Sequence, residues 1–143
     1  DDKEFVVADI PGLIEDAHIG KGLGHKFLGH IERCKVLLHL IDITNENIME
    51  SFQVIENELK AYNEKVYNKD QILVFTKCDA FNEKKLNDIK KNINGINVEN
   101  AFFISSVTGF NIDSLCRKVN EMINNDKEKD DDNFDQKSST WEP

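Results

Sequence analysis

The most restrictive feature of the sequence is an apolar run that a globular chain has to bury. VLLHLID spans residues 36–42, and every position except His39 and Asp42 is aliphatic. Strands with one wet face alternate apolar and polar side chains, whereas strands of a parallel sheet are covered by helices on both faces and read as nearly continuous apolar runs. The run therefore predicts a central strand of a parallel α/β sheet.

Further strands and helices alternate with this run along the chain. Short apolar runs predict strands over residues 5–9, 71–76 and 100–105. Apolar residues at helical spacing predict amphipathic helices over residues 23–34, 48–62, 82–94 and 112–124, with a polar loop over residues 63–70. A strand followed by a helix thus occurs four times, which specifies an α/β fold with a parallel sheet.

Three of the four predicted strands end in polar residues. Asp9 follows the first strand, residues 76–79 (TKCD) follow the third, and residues 105–109 (SSVTG) follow the fourth. Each string alone is ordinary turn chemistry. Because the carboxyl ends of parallel strands meet at one edge of the sheet, where open α/β folds bind ligands, we expect the three strings to share a site.

The first of these strand ends opens a glycine-rich loop. Asp9, Ile10, Pro11 and Gly12 interrupt the apolar run, and five of the seven glycines fall within residues 12–29. Glycine adopts backbone conformations that are closed to other residues, so a loop built in this way can move. A strand, an acidic loop and then a helix with one apolar stripe form the arrangement that a nucleotide-sensing switch requires.

At these residues the chain resembles the Obg family of ribosome-associated GTPases. The likeness lies in VVADIPGLIE, GKGLGHKFLGHIER and VLLHLID, which follow one another with little interruption over residues 5–42. The resemblance implies a Ras-like P-loop GTPase fold, a three-layer sandwich with a mostly parallel sheet. Residues 1–124 would form the part of the GTPase domain from switch II to the last helix.

The same resemblance implies a function. It indicates a cytoplasmic protein that binds and hydrolyses GTP, uses Mg²⁺ as cofactor, and acts in the assembly of the large ribosomal subunit or in its stress-linked regulation. The ribosome follows from the family alone. We expect a monomer. We also expect no membrane span, because no run approaches the roughly 18 apolar residues that a span requires.

The resemblance places guanine recognition at the last two strand ends. The nucleotide-binding residues that it implies there are Thr76, Lys77, Cys78, Asp79, Ser105, Ser106 and Val107. Asp79 can accept hydrogen bonds from the ring N1–H and the exocyclic amine of guanine, a pair of donors that adenine lacks. The methylene stem of Lys77 can lie along the base, and the amides around Ser106 and Val107 can donate to the guanine carbonyl. Thr76 stands where asparagine is commoner, so we expect weaker tethering of the base loop.

The phosphate end is assigned by resemblance to Asp9, Ile10, Pro11 and Gly12. Asp9 would bind Mg²⁺ through a water, and the Gly12 amide would contact the γ-phosphate, whose loss would release the loop. Leu13 stands where many GTPases carry a glutamine that orients the attacking water, so no catalytic residue is assigned with certainty. Turnover should therefore be slow unless a partner or a monovalent cation supplies the missing group.

A phosphate-binding loop is missing from the sequence. Gly-x4-Gly-Lys-Ser/Thr does not occur in the 143 residues, and the chain does not open with methionine. We interpret the chain as a fragment that holds the base-recognising half and one switch, and we expect it to be inactive by itself. We also expect it to fold poorly. In the GTPase fold the strand before the phosphate loop lies between the strands that correspond to residues 5–9 and 36–42, and its absence would leave unpaired edges inside the sheet.

Composition argues against several other classes. Eighteen Lys and Arg against 27 Asp and Glu give a net charge of −9, which disfavours nonspecific binding to nucleic acid, and three cysteines at unrelated spacings form no metal or disulfide pattern. His18, His25 and His30 lack the spacing of metal ligands. His39 is expected to be a hydrogen-bonded core residue. Residues 125–143 are acidic and poor in apolar groups, which predicts a disordered tail.

Two alternatives remain open at this stage. One is a noncatalytic interaction module that responds to guanine nucleotides, since Leu13 cannot polarise water; it would show nucleotide-dependent binding and no phosphate release. The other is an inert fragment of a truncated gene. A phosphate loop upstream in the same reading frame would exclude it.

Overall fold

Three parallel strands and four helices make up the described part of the chain. The computed structural model describes residues 4–9, 33–93, 95–96 and 98–138, with side chains up to residue 125. The strands, in the sheet order β1-β2-β3, are β1 (Val36–Asp42), β2 (Asp70–Thr76) and β3 (Phe102–Phe103). The helices are α1 (Ile48–Tyr62), α2 (Glu64–Tyr67), α3 (Glu83–Asn92) and α4 (Ile112–Ser138), and 3₁₀ turns span Cys78–Ala80 and Val98–Asn100.

The parallel sheet confirms the predicted α/β fold. β1 and α1 have the bounds that the apolar patterns predict, and β2 begins one residue earlier. β1 pairs with β2 in parallel from Val36↔Asp70 to Asp42↔Thr76, and β2 pairs with β3 in parallel. This register places the carboxyl ends of β1 and β2 side by side.

Helices cover both faces of the sheet. On one face the buried core consists of Ile41, Ile43, Phe75, Cys78 and Phe103, packed against apolar side chains of α1 and α3. On the other face it consists of Ile72, Val74, Ile104, Leu115 and Val119, the last two from α4. Helix, sheet and helix therefore form the three predicted layers.

The first predicted strand is wrong. Residues 4–9 have no regular secondary structure, and the side chains of Val6 and Val7 are 96% and 70% exposed. Phe5 alone packs against the cluster beneath α4. A strand needs a neighbour for its backbone hydrogen bonds, and in the predicted topology that neighbour is the strand before the phosphate loop, which the sequence lacks.

Two smaller predictions also need correction. The predicted loop over residues 63–70 contains α2, because the Asn63 side chain accepts from the amides of Lys65 (2.8 Å) and Val66 (3.4 Å) and the Val66 side chain is fully buried. β3 pairs over two residues only, although the Ile104 amide still donates to the Phe75 carbonyl at 2.9 Å.

The last helix extends beyond its predicted end at residue 124. It reaches Ser138, so residues 126–138 are helical and not disordered in this structure. The prediction rested on the scarcity of apolar groups, which limits packing and not backbone conformation; no glycine or proline interrupts residues 112–138. Assigning residues 125–143 to a tail outside the domain stays a prediction.

Candidate guanine-recognition site

The loops after β2 and β3 lie side by side at one edge of the sheet. The pairing of Phe75 with Phe103 aligns the two strands just before these loops. The Ser105 hydroxyl donates to Asp79 Oδ1 at 2.8 Å. The Cys78 amide donates to the Ile104 carbonyl at 3.1 Å. Two of the three predicted strand-end strings thus form one structural unit.

Ser105 closes the loop that follows β3. Its side chain is 1% exposed, and its hydroxyl oxygen accepts from the Thr108 amide at 3.1 Å while it donates to Asp79. The Gly109 amide donates to the Ser105 carbonyl at 2.9 Å. Ser106 and Val107 are exposed at the tip of this loop. The loop that carries these two residues is joined to Asp79 through Ser105.

Asp79 and Cys78 have different roles in the 3₁₀ turn Cys78–Ala80. Asp79 is exposed, and its carboxylate has capacity for further donors besides Ser105. Cys78 is buried, and its thiol contacts the Phe75 carbonyl at 3.4 Å. Burial raises the pKa of the Cys78 thiol, which therefore stays neutral. The Cys78 side chain anchors the turn in the core, and Asp79 faces the solvent.

Lys77 lies in a backbone conformation that few non-glycine residues adopt. Its φ is +61°, in the left-handed region, and its Nζ lies 2.7 Å from Asp42 Oδ2 at the end of β1. Hydrogen bonds from Lys77 and then Thr44 lower the pKa of Asp42 to about 2, and Asp42 in turn raises the pKa of Lys77. The ion pair is therefore fully charged at neutral pH.

Asp42 was not among the predicted site residues. The available signal was its place at the end of an apolar strand, the same rule that selects Asp9. The register that brings Asp42 beside Thr76 and Lys77 cannot be read from the sequence.

Thr76 connects the ends of β1 and β2. Its hydroxyl donates to the Ile41 carbonyl at 3.4 Å, and its carbonyl accepts from the Ile43 amide at 3.1 Å. The asparagine that is commoner at this position could make two hydrogen bonds with its side-chain amide, whereas the Thr76 hydroxyl makes one long hydrogen bond. The weaker tethering expected of Thr76 stays a prediction.

His39 is buried, as predicted, but the predicted hydrogen bond is wrong. Its side chain is 7% exposed, and neither ring nitrogen has a hydrogen-bond partner among the described residues. The ring stacks on Phe52 with 5.2 Å between ring centroids, and Glu56 Oε1 lies 4.0 Å from Nδ1. Burial lowers the pKa of His39, and the Glu56 carboxylate opposes this shift only partly. The ring is held by stacking in place of a hydrogen bond.

The phosphate end of the predicted site is largely outside the described residues. Asp9 is exposed at the end of the irregular segment 4–9, whereas Ile10, Pro11, Gly12 and Leu13 lie outside the described residues. Residues 23–32 of the predicted helix also lie outside, and so do His18, His25 and His30. Mg²⁺ in nucleotide sites takes one or two carboxylates together with phosphates and waters, so an exposed carboxylate such as Asp9 fits it chemically. The roles of these residues stay predictions.

Among the residues that the structure describes, no group of three or more His, Cys, Asp or Glu side chains could hold a metal ion. None of the helices described is both long and apolar enough to cross a bilayer.

The parallel α/β fold is consistent with a domain of the P-loop GTPase class. Residues 1–77 match a protein-family model described as a 50S ribosome-binding GTPase. GTPase Obg of Wolbachia sp. subsp. Drosophila simulans (strain wRi) is 42% identical over 136 residues, which cover 94% of this chain and 39% of that protein. The chain belongs to the Obg family of GTPases.

Relatives from other bacteria give the same result. GTPase Obg of Ehrlichia canis (strain Jake) is 42% identical over 130 residues, which cover 89% of this chain and 38% of that protein. GTPase Obg of Desulfotalea psychrophila (strain LSv54 / DSM 12343) is 42% identical over 119 residues, which cover 82% of the chain and 32% of the protein. The chain thus spans about two fifths or less of the length of these curated relatives.

Proposed function

We propose that this chain is the guanine-recognising part of a protein that binds and hydrolyses GTP. The observation that carries the proposal is the 2.8 Å hydrogen bond from Ser105 to Asp79, which joins the loops after β2 and β3. It orients one carboxylate oxygen of a side chain that is exposed to solvent.

The chemistry of Asp79 favours guanine over adenine. A carboxylate accepts the two neighbouring donors on guanine, N1–H and the exocyclic amine. Adenine presents an acceptor in place of the N1–H, so it would leave the carboxylate without its partners, and an unpaired charge costs more than a missing apolar contact. The backbone amides of Ser106 and Val107, two exposed residues in the loop after β3, would complete the set as donors to the guanine carbonyl.

The phosphate end of the proposed site depends on the family. Asp9 would hold Mg²⁺ through a water and Gly12 would contact the γ-phosphate. Bound Mg²⁺ would neutralise charge on the β- and γ-phosphates. The phosphate loop that such a site needs does not occur in the 143 residues, and we place it upstream in a longer protein.

The cellular role is the most distant part of the proposal. The description of the matching family model names the 50S ribosome, and the relatives are named GTPase Obg. We infer a cytoplasmic, monomeric protein that acts on the large ribosomal subunit, in its assembly or its stress-linked regulation.

Nucleotide binding is tested on the reading frame extended upstream until it includes a phosphate loop, called the extended chain below. GDP and GTP should bind in a fluorescent-nucleotide titration, and a large excess of ATP should not compete. Competition by ATP at similar concentration would refute guanine recognition.

Hydrolysis is tested separately by phosphate release from the extended chain. We expect slow release, because Leu13 cannot orient water, with acceleration by large ribosomal subunits or by K⁺. Nucleotide-dependent binding without phosphate release in any of these conditions would favour the noncatalytic interaction module. Fast release without a partner would show that the role assigned to Leu13 is wrong.

A further inference from the structure

We propose that Asp42 is a positioning residue of the guanine site, which holds the Lys77 side chain in place and keeps its ammonium group away from Asp79. The inference rests on the proposed function, because guanine is the ligand for which Asp79 must stay available.

The strand register brings the two side chains together. Asp42 is the last residue of β1 and pairs with Thr76, the residue before Lys77. Beyond this pair the ladder continues with a bond of 3.1 Å from the Ile43 amide to the Thr76 carbonyl. Lys77 Nζ and Asp42 Oδ2 then lie 2.7 Å apart. The contact follows from the sheet and does not require a flexible loop to close.

Asp42 is itself fixed before it meets Lys77. Its other oxygen, Oδ1, accepts from the Thr44 hydroxyl at 2.6 Å and from the Thr44 amide at 2.9 Å. With Oδ1 occupied, Oδ2 is the oxygen directed to the ammonium group. A carboxylate oriented in this way can hold a long, flexible side chain in one direction.

Lys77 has two acidic neighbours, and they compete for it. Asp42 is the main cause of the raised pKa of Lys77, and the charge of Asp79 contributes to the same shift. If Lys77 Nζ paired with Asp79, it would occupy the acceptor that guanine needs. Pairing with Asp42 leaves Asp79 to the base.

The test compares Asp42→Asn, Lys77→Ala and the double variant in the extended chain, with GDP and GTP titrations. We expect Asp42→Asn to weaken both nucleotides by the same factor, about twofold to fivefold, the range for an exposed ion pair. In the Lys77→Ala background the same change should have no further effect, because its only route to the base is through Lys77. A merely structural role would reduce affinity equally in both backgrounds.

Glu121→Gln is the matched control. It removes the acid of another lysine ion pair, in which Lys118 Nζ and Glu121 Oε1 lie 3.9 Å apart on α4. We expect no change in nucleotide affinity from this variant. An equal loss in Glu121→Gln and Asp42→Asn would overturn the proposal, since net charge alone would then explain both.

Thr44→Val is a second variant that tests the proposal if Asp42→Asn fails to fold. It removes the hydroxyl bond that orients Asp42 and keeps the charge, so affinity should fall in the same direction by a smaller factor. If Thr44→Val and Asp42→Asn bound GDP and GTP as tightly as the wild type or more tightly, with guanine selectivity intact, only the role proposed for Asp42 would be overturned. Loss of guanine selectivity in the wild-type chain would instead overturn the proposed function.

Discussion

Ser105 contributes one hydroxyl to two loops. The oxygen accepts from the Thr108 amide and the hydrogen goes to Asp79, so a single buried side chain fixes both the acceptor for the base and the loop that presents the neighbouring amides. No residue of comparable burial in this loop carries a hydroxyl, because Ser106 and Thr108 are exposed. At the scale of single residues, the guanine site therefore depends on the Ser105 hydroxyl, which does not have to touch the ligand.

Ser105→Ala tests this dependence. It removes a hydrogen bond to a charged group, which is worth about 1.5–3 kcal/mol, and leaves the Thr108 amide without its acceptor. We expect guanine nucleotides to bind about tenfold more weakly to the extended chain, measured by titration, with a lower melting temperature. Ser106→Ala, at the exposed tip of the same loop, should change neither quantity. Equal effects of the two variants would contradict the account.

His39 makes a separate prediction about pH. Its pKa is lowered by burial, so the folded chain keeps the ring neutral while the unfolded chain binds a proton below the ordinary value of 6.5. His39 therefore makes its full contribution to the free energy of unfolding above pH 6.5, and this contribution is lost as the pH falls below 6.5.

His39→Phe isolates this effect, because phenylalanine can keep the stacking on Phe52. The unfolding free energy of the extended chain, measured in urea at several pH values, should fall more steeply with acid in the wild type than in the variant. If wild type and variant differed in unfolding free energy by the same amount from pH ~7.5 to ~5.5, His39 would not change its protonation on unfolding.

Secondary-structure elements were predictable where the local pattern of apolar residues agrees with the packing of the folded chain. β1 and α1 have their predicted bounds because the apolar run of β1 and the apolar stripe of α1 both pack in the core. Residues 5–9 carry an equally apolar pattern but form no strand, and the pairing of Asp42 with Lys77 depends on a register that no local pattern encodes. Two of the three strand-end strings, those after β2 and β3, meet as predicted, and the hydrogen bonds between them required the structure.

The loop after β3 offers a test at the same scale. Gly109 has a φ of +80°, and a Cβ placed there would have open space around it, so the cost of a substitution is backbone strain alone. Gly109→Ala should destabilise the extended chain by about 1–2 kcal/mol and weaken guanine binding. Gly109→Asn should cost less, because asparagine tolerates the left-handed region. Equal costs for the two, measured by urea unfolding, would contradict this explanation.

At the scale of the whole molecule, the part of the sheet that the structure describes has an unpaired edge. Within the described residues β1 pairs only with β2, and its other edge has no strand beside it; Leu40, in the middle of β1, is 57% exposed. An unpaired apolar edge is a template for association with other chains. The missing neighbour in the predicted topology is the strand before the phosphate loop.

We therefore predict that residues 1–143 alone unfold without a sharp transition and self-associate. The extended chain, which supplies the neighbouring strand, should melt cooperatively. Thermal unfolding followed by circular dichroism, with light scattering for association, distinguishes the two. A sharp two-state melt of a monomeric 143-residue chain would contradict the prediction.

The central claim is that Asp79, oriented by Ser105, reads the guanine base, and the most direct measurement is the nucleotide preference of Asp79→Asn in the extended chain. An asparagine amide donates where the carboxylate accepts, so it suits xanthine, which has a carbonyl in place of the exocyclic amine. The account predicts at least about tenfold weaker GDP binding and a gain of xanthosine diphosphate binding, while Asp88→Asn on the exposed surface of α3 leaves both unchanged. GDP affinity that is unaffected by Asp79→Asn would contradict the account.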